Sequence, residues 1–329
     1  MPQAGNRREL LLIATGGTIS QGRSELGGEQ RPWLSAVDLL ARTAIETGRL
    51  HCLDLPYPDG VISSGAALLT LARTIERVAK EGMDGIVVTH GTDALEEVAY
   101  AMDEMLSGIV PLVFTGAMRP SWAADYDGGK NLEQAVRVAA CLLPEYGTLV
   151  TLHGDIFEAW SVYKSDTVAL DAFTARHGAP SGRVNEQPVE LDWQPTRWNR
   201  LGRLPHTMSY SIPILTLGVG DDAALLKLVG ERAERSIDGL VAASLGAGSI
   251  PPAALGPLCR LVDAGLPVVC CSSAPSGPTA ATEYYPGMYT ELVEAGLIIE
   301  NFLSPRKARM RLMLSLGLDM PYRPFEREA

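Results

Sequence analysis

Several things are scarce in this 329-residue sequence, and each scarcity excludes a class of partner or chemistry. Positive charge is in the minority. Its 28 lysines and arginines face 39 aspartates and glutamates, for a formal net charge of −11 at pH 7, and no strongly basic stretch offsets the balance. An acidic surface is repelled by phosphate backbones and anionic headgroups, so neither nucleic acid nor an anionic membrane is expected as a partner. No stretch approaches the ~20 apolar residues of a membrane span. The apolar run after Arg7 and Arg8 is only about five residues, short of a secretion signal's core. Cysteine is sparse and odd in number: Cys52, Cys141, Cys259, Cys270 and Cys271, with no CxxC pair. That usage reads as reduced thiols in a cytoplasmic protein. The histidines at 51, 90, 153, 177 and 206 show no metal-ligand spacing, so neither a metal nor an organic cofactor is expected.

What is present alternates. Short β-branched or apolar runs, "LLLIAT" (10–15), "GIVVTHG" (85–91), "PLVFTG" (111–116) and "GTLVTLHG" (147–154), alternate with amphipathic helical stretches. Those stretches are "ALLTLARTIERVAK" (67–80), "ALEEVAYAMDEML" (94–106) and "NLEQAVRVAACLL" (131–143). This is the pattern of an α/β protein with a mostly parallel sheet covered by helices. Between about 176 and 212 the pattern lapses into Pro-, Gly-, Arg- and Trp-rich sequence, and a second alternating block follows. The expectation is a large N-terminal α/β domain over 1–190, a linker over 191–211 and a smaller C-terminal α/β domain over 212–329. No internal repeat stands out.

Ligands of open α/β sheets bind where loops leave the carboxyl ends of strands. Two polar turns fall there, "TGGT" (15–18) and "THGTD" (89–93), and both set a threonine beside glycine. The first is not a dinucleotide fingerprint, because the spacing is not GxGxxG and no helical period follows. Nor is it a P-loop, since GK[ST] is absent. It suits a nucleophilic hydroxyl, Thr18, at the base of a polar loop. It equally suits a tight turn whose hydroxyl satisfies a backbone group. In the second turn, Asp93 and Glu96 fit a helix capping box. The competing reading turns Thr92 and Asp93 toward a cleft, to move a proton and hold a substrate ammonium. Helix-start amides such as that of Gly91 then remain free to meet an anion. Lys164 reads either as a solvated surface lysine or as a partner that tunes a threonine hydroxyl.

At these residues the sequence resembles the bacterial-type L-asparaginase family, amidohydrolases that use threonine. "ATGGTIS" (14–20) is similar to that family's first signature and "VVTHGTDALEE" (87–97) to its second. "FTGAMRPSWAADYDGGKNLEQAV" (114–136), "YKSDTVALDAF" (163–173) and "LSPRKARMRLML" (303–314) extend the likeness over nearly the whole chain. The resemblance implies a small amide as substrate and a homo-oligomer, usually a tetramer of intimate dimers with sites between subunits. It matches Thr18 to the first nucleophilic threonine. Thr92, Asp93 and Lys164 match the second threonine, the substrate-holding aspartate and the lysine of the relay. Gly17 and Gly91 fall among the substrate contacts, and Glu283 matches an acid lent by the neighbouring subunit.

The sequence also departs from that family. No tyrosine occurs in 19–35, where the family usually carries a lid tyrosine, and only Arg31 and Trp33 are bulky there. The family's serine-and-acid grip for the α-carboxylate falls near "PDGVIS" (58–63), where Ser63 or Ser64 would have to serve. Ala247 stands where family members often have asparagine. These departures imply that specificity extends to, or shifts toward, D-asparagine, a less polar amide or a lactam, or that the chain is a weakly catalytic small-amide binder.

Overall fold

The computed structural model describes residues 8–22, 33–46, 48–57, 62, 64–184, 189–191, 197–279 and 287–328. The chain divides into two compact units, residues 1–196 with 202–204, and residues 197–201 with 205–329.

In the first unit β1 (Leu10–Ala14), β2 (Leu50–Asp54), β3 (Gly85–Thr89), β4 (Leu112–Thr115) and β5 (Thr148–Leu152) form the parallel part of an eight-stranded sheet. Its other strands run antiparallel. They are β6 (Asp155–Glu158), β9 (Gly182–Val184) and β10 (Val189–Leu191), and the full order is β10-β9-β6-β5-β4-β3-β1-β2. A separate antiparallel pair joins β7 (Val162–Lys164) to β8 (Phe173–Ala175), with Lys164 opposite Phe173. Every residue of β1, β3, β4 and β5 is buried, which is why these strands read as unbroken apolar runs. β2 lies at the sheet edge, and its "LHCLD" is half exposed.

The helices of this unit are α1 (Ala36–Leu40), α2 (Gly65–Lys80), α3 (Leu95–Leu106) and α4 (Gly128–Cys141). α2 buries Leu68, Leu69, Leu71, Ala72, Ile75 and Val78 along one stripe, as its i, i+3, i+4 spacing requires. Its start is capped by Ser64, whose hydroxyl accepts the Ala67 N–H at 3.2 Å. Ser64 is therefore engaged in capping α2.

Within the parallel strands, β2 lies to one side of β1 while β3, β4 and β5 step away on the other. The direction of winding reverses between β1 and β3. The crevice beyond the carboxyl ends of these two strands is the topological switch point, where open α/β sheets bind their ligands.

The second unit holds a four-stranded parallel sheet in the order β11-β12-β13-β14: Ile214–Thr216, Leu240–Ser244, Val268–Ser272 and Ile298–Glu300. Its helices are α5 (Ala224–Ser236), α6 (Pro252–Asp263), α7 (Tyr289–Glu294) and α8 (Pro305–Gly317). Cys270 and Cys271 sit fully buried in β13, and burial pushes the Cys270 thiol up to about 11. Trp198 stacks on Phe325 at 4.7 Å, while Arg311 of α8 donates to the Asn199 and Arg323 carbonyls. Fully buried Glu300 accepts from the Tyr322 hydroxyl and the Phe302 and Phe325 amides. Among the described residues, no helix is long and apolar enough to cross a membrane.

Candidate active site

The two glycine-containing turns meet at the switch point. Gly16 and Gly17 both take positive φ, 105° and 85°, and the chain leaves β1 through them into a single helical turn at Thr18–Ser20. A Cβ on Gly17 would lie 2.4 Å from both the Cα and the N of Gly91. The first turn therefore packs backbone to backbone against the second, and only glycine permits that approach. On the other side of the second turn, a Cβ on Gly116 would lie 2.7 Å from the His90 carbonyl and 3.2 Å from Thr92 Cγ2. Asn131 supports this third loop by donating to the Gly116 carbonyl at 3.0 Å, and Asp127 accepts the amides of Met118 and Arg119.

Thr18 is half-buried just past this contact. The segment that follows it is held from a neighbouring loop. Tyr126 donates its hydroxyl to the Ile19 carbonyl at 3.1 Å, and Ser121 donates to the Gln21 carbonyl at 2.6 Å. Burial pushes the Tyr126 phenol up to about 12, so it is a donor throughout the physiological range. Gln21 pairs with Trp33 in an antiparallel bridge. Trp33 walls an open pocket of about 150 Å³ beside Gly16, together with Ala14, Leu34, Ser35, Asp54 and Pro56.

Thr92 is 5% exposed, and its Oγ1 accepts from Lys164 Nζ at 3.1 Å. The same ammonium reaches Asp93 Oδ1 at 2.7 Å. The Lys164 side chain is 16% exposed and that of Asp93 83%. The lysine is thus an enclosed cation with one enclosed hydroxyl and one solvent-facing carboxylate for partners, and the reading of Lys164 as a solvated surface residue does not hold. The capping-box reading of Asp93 and Glu96 fails as well. α3 begins after Ala94 with no side-chain cap. Glu96, itself buried, turns its Oε2 to the Lys164 backbone N–H at 2.8 Å. It pins the end of β7 to the first turn of α3, where Lys164 can reach Thr92. A helix-start signature disguised this carboxylate's job, because capping and cross-element anchoring call for the same residue type.

Thr18, Gly17, Gly91, Thr92, Asp93 and Lys164 therefore gather around one crevice. Glu283, Arg31 and Ser63 lie outside the described residues. His90 lies beside the crevice residues. It is fully buried directly under the second turn, and burial holds its pKa down at about 4, so the ring is neutral. Its Nδ1 pairs with the Gly91 carbonyl at 2.7 Å, and its Nε2 faces the Ile62 N–H at 3.4 Å.

An enclosed lysine Nζ touching a hydroxyl, with a second hydroxyl raised on a glycine turn at a sheet switch point, defines an α/β enzyme equipped for nucleophilic chemistry. Residues 9–197 match the family model "Asparaginase, N-terminal" and residues 211–326 match "Glutaminase/Asparaginase C-terminal domain". A probable L-asparaginase of Deinococcus radiodurans is 36% identical over 314 residues, covering 94% of this chain and 93% of that one. The thermostable L-asparaginase from Thermococcus kodakarensis superposes with a TM-score of 0.81 at 27% identity, covering 94% and 92%. A probable cytoplasmic L-asparaginase from Campylobacter jejuni does so with a TM-score of 0.77 at 27% identity, covering 93% and 94%. The chain belongs to the asparaginase family, and its class of enzyme is amidohydrolase.

Proposed function

We propose that this protein hydrolyses the side-chain amide of asparagine, or of a closely related small amide, to the acid and ammonia, with Thr18 as nucleophile. The observation that carries this reading is the packing of Gly17 on Gly91, which sets Thr18 and the Thr92–Lys164–Asp93 cluster on one crevice. Thr18 Oγ1 attacks the amide carbonyl, and backbone amides of the second turn receive the developing oxyanion. Thr92, in contact with Lys164 Nζ, relays the proton that the Thr18 hydroxyl gives up on attack to the departing nitrogen. Ammonia leaves, and water then cleaves the acyl ester on Thr18. Asp93, open to solvent, is placed to meet the substrate's ammonium.

A second reading, shifted specificity, is favoured by one observation. Ser64 is occupied in capping α2 and Ile62 is buried, which leaves little polar grip at these two described positions. A site that hydrogen-bonds an α-amino acid rejects analogues through those polar groups, and loss of grip relaxes that rejection.

Ammonia release from asparagine, D-asparagine, glutamine, succinamate and simple lactams, with Thr18→Ala in parallel, tests both. Turnover of asparagine abolished by Thr18→Ala is expected. Activity confined to amides without an α-amino group would replace the substrate while keeping the mechanism. Full turnover in Thr18→Ala would remove the nucleophile assignment. Silence on every amide, with calorimetric binding, would make the chain a small-amide binder.

Assembly into a homo-oligomer, a dimer or a homotetramer built of intimate dimers, belongs to the same reading. Its physical support is the apolar surface left by Val219 and the i, i+3 pair Leu225 and Leu228. A monomer mass by light scattering would exclude it. Cytoplasmic residence is supported by the five free thiols and by the likeness to the Campylobacter jejuni protein.

A further inference from the structure

The buried imidazole of His90 lies against the one peptide whose orientation the proposed chemistry depends on. Among the described residues, the Gly91 carbonyl points inward to His90 Nδ1 at 2.7 Å. The peptide joining Gly91 to Thr92 is a rigid plane, and in its trans form the C=O and N–H of one unit point in opposite directions. Fixing the Gly91 oxygen toward the interior therefore aims the Thr92 N–H the other way, toward the crevice that Thr18 borders. No backbone carbonyl among the described residues accepts that N–H.

The ring is itself held in one tautomer. Its Nε2 accepts from the Ile62 N–H, so the proton sits on Nδ1, where it is donated to Gly91. The ring is 0% exposed, and the His90 backbone is locked between strands by its N–H to the Thr115 carbonyl at 2.9 Å. Ring, 91–92 peptide and the Ile62 amide are thus joined by hydrogen bonds.

We propose that His90 is a positioning residue that, through the Gly91 carbonyl, aims the Thr92 amide at the oxyanion formed when Thr18 attacks. This rests on the amidohydrolase reading above. The interaction matters in the transition state and hardly in the ground state, because the charge it meets exists only after attack. Without the ring's N–H, the 91–92 peptide, flanked by glycine, is free to rotate.

Two variants and one spectroscopic measurement test this. His90→Leu fills the cavity without a donor. His90→Asn places an amide N–H where Nδ1–H stands and lacks the Nε2 acceptor. With asparagine as substrate, His90→Leu is expected to lower kcat roughly 10²–10³-fold, the usual loss for one oxyanion donor. KM should change by less than about threefold, and His90→Asn should recover most of kcat. Thermal unfolding of both variants confirms that each is folded. Equal kcat losses in the two folded variants would overturn the proposal, as would wild-type kcat in His90→Leu or a loss confined to KM. ¹⁵N NMR of the unsubstituted enzyme supplies a readout that needs no turnover. A protonated Nδ1 and bare Nε2 are expected, and a protonated Nε2 would overturn the proposal even in an active enzyme. Absence of asparagine turnover in the unsubstituted enzyme, with the expected tautomer, would count against the substrate assignment and not against the peptide geometry.

Discussion

At the scale of single residues, the site depends on groups that have no side chain as much as on those that do. Gly17 combines a positive φ with packing so close that a Cβ there would lie 2.4 Å from Gly91, which leaves no space for a methyl group. Gly17→Ala is expected to cost about 2–4 kcal/mol, from overpacking plus backbone strain. It should also abolish turnover even where the fold survives, because it pushes Thr18 away from Thr92. Urea unfolding and ammonia release read the two effects separately. Unperturbed stability would mean that the turns do not meet as described. Much of this cluster was legible before the fold was known. Threonine beside glycine at two strand ends is an unusual recurrence, and the family signatures named Thr18, Thr92, Asp93 and Lys164. The parts played by His90 and Glu96 were not legible. A buried histidine and a helix-start glutamate have ordinary structural uses, and only three-dimensional contacts with Gly91 and Lys164 reveal others.

At the scale of elements, Lys164 is placed by an anchor between a helix and a strand remote in sequence. β7 is three residues long and contributes little order of its own, so its end is held by the carboxylate of Glu96 on α3. Glu96→Ala leaves the Lys164 N–H without its acceptor, at a cost of about 1–3 kcal/mol. kcat should fall more than that loss of stability suggests, since Lys164 then wanders from Thr92. Glu96→Gln retains an acceptor oxygen and should keep most of the activity. Equal kinetics in the alanine and glutamine variants would show that the anchor does not matter to Lys164. The long, strongly periodic elements were the legible ones: the buried parallel strands of the first unit and α2, α3 and α4. β2 escaped because an edge strand with mixed exposure has neither an apolar run nor a clean alternation. β9 and β10 escaped because three-residue strands among prolines and glycines carry no period.

At the scale of the whole molecule, the neutrality of His90 links the site to global stability. Unfolding releases the ring to its ordinary pKa of 6.5, whereas in the fold burial holds it at about 4. Between these two values the unfolded chain binds the extra proton. Stability from this group is therefore complete above about 6.5 and is lost as pH falls toward 4, by roughly 1.4 kcal/mol per pH unit. A plot of unfolding free energy against pH should be shallower over this window in His90→Asn than in the unsubstituted protein. Identical slopes would mean that the ring titrates normally and is not buried neutral.

The stacking of the turns through Gly17, Gly91 and Gly116 also bears on how such a protein can change. Where loops touch through side chains, each can be exchanged in small steps as its neighbours adjust. Where they touch through bare backbone, no intermediate size exists and the contact is kept or lost whole. This end of the fold is therefore closed to gradual variation at those contacts. New selectivity has to arise at its margins, around Trp33 and Trp122, whose side chains are partly open to solvent. Libraries aimed at those margins, with the glycines left alone, are the natural route to redirecting the enzyme.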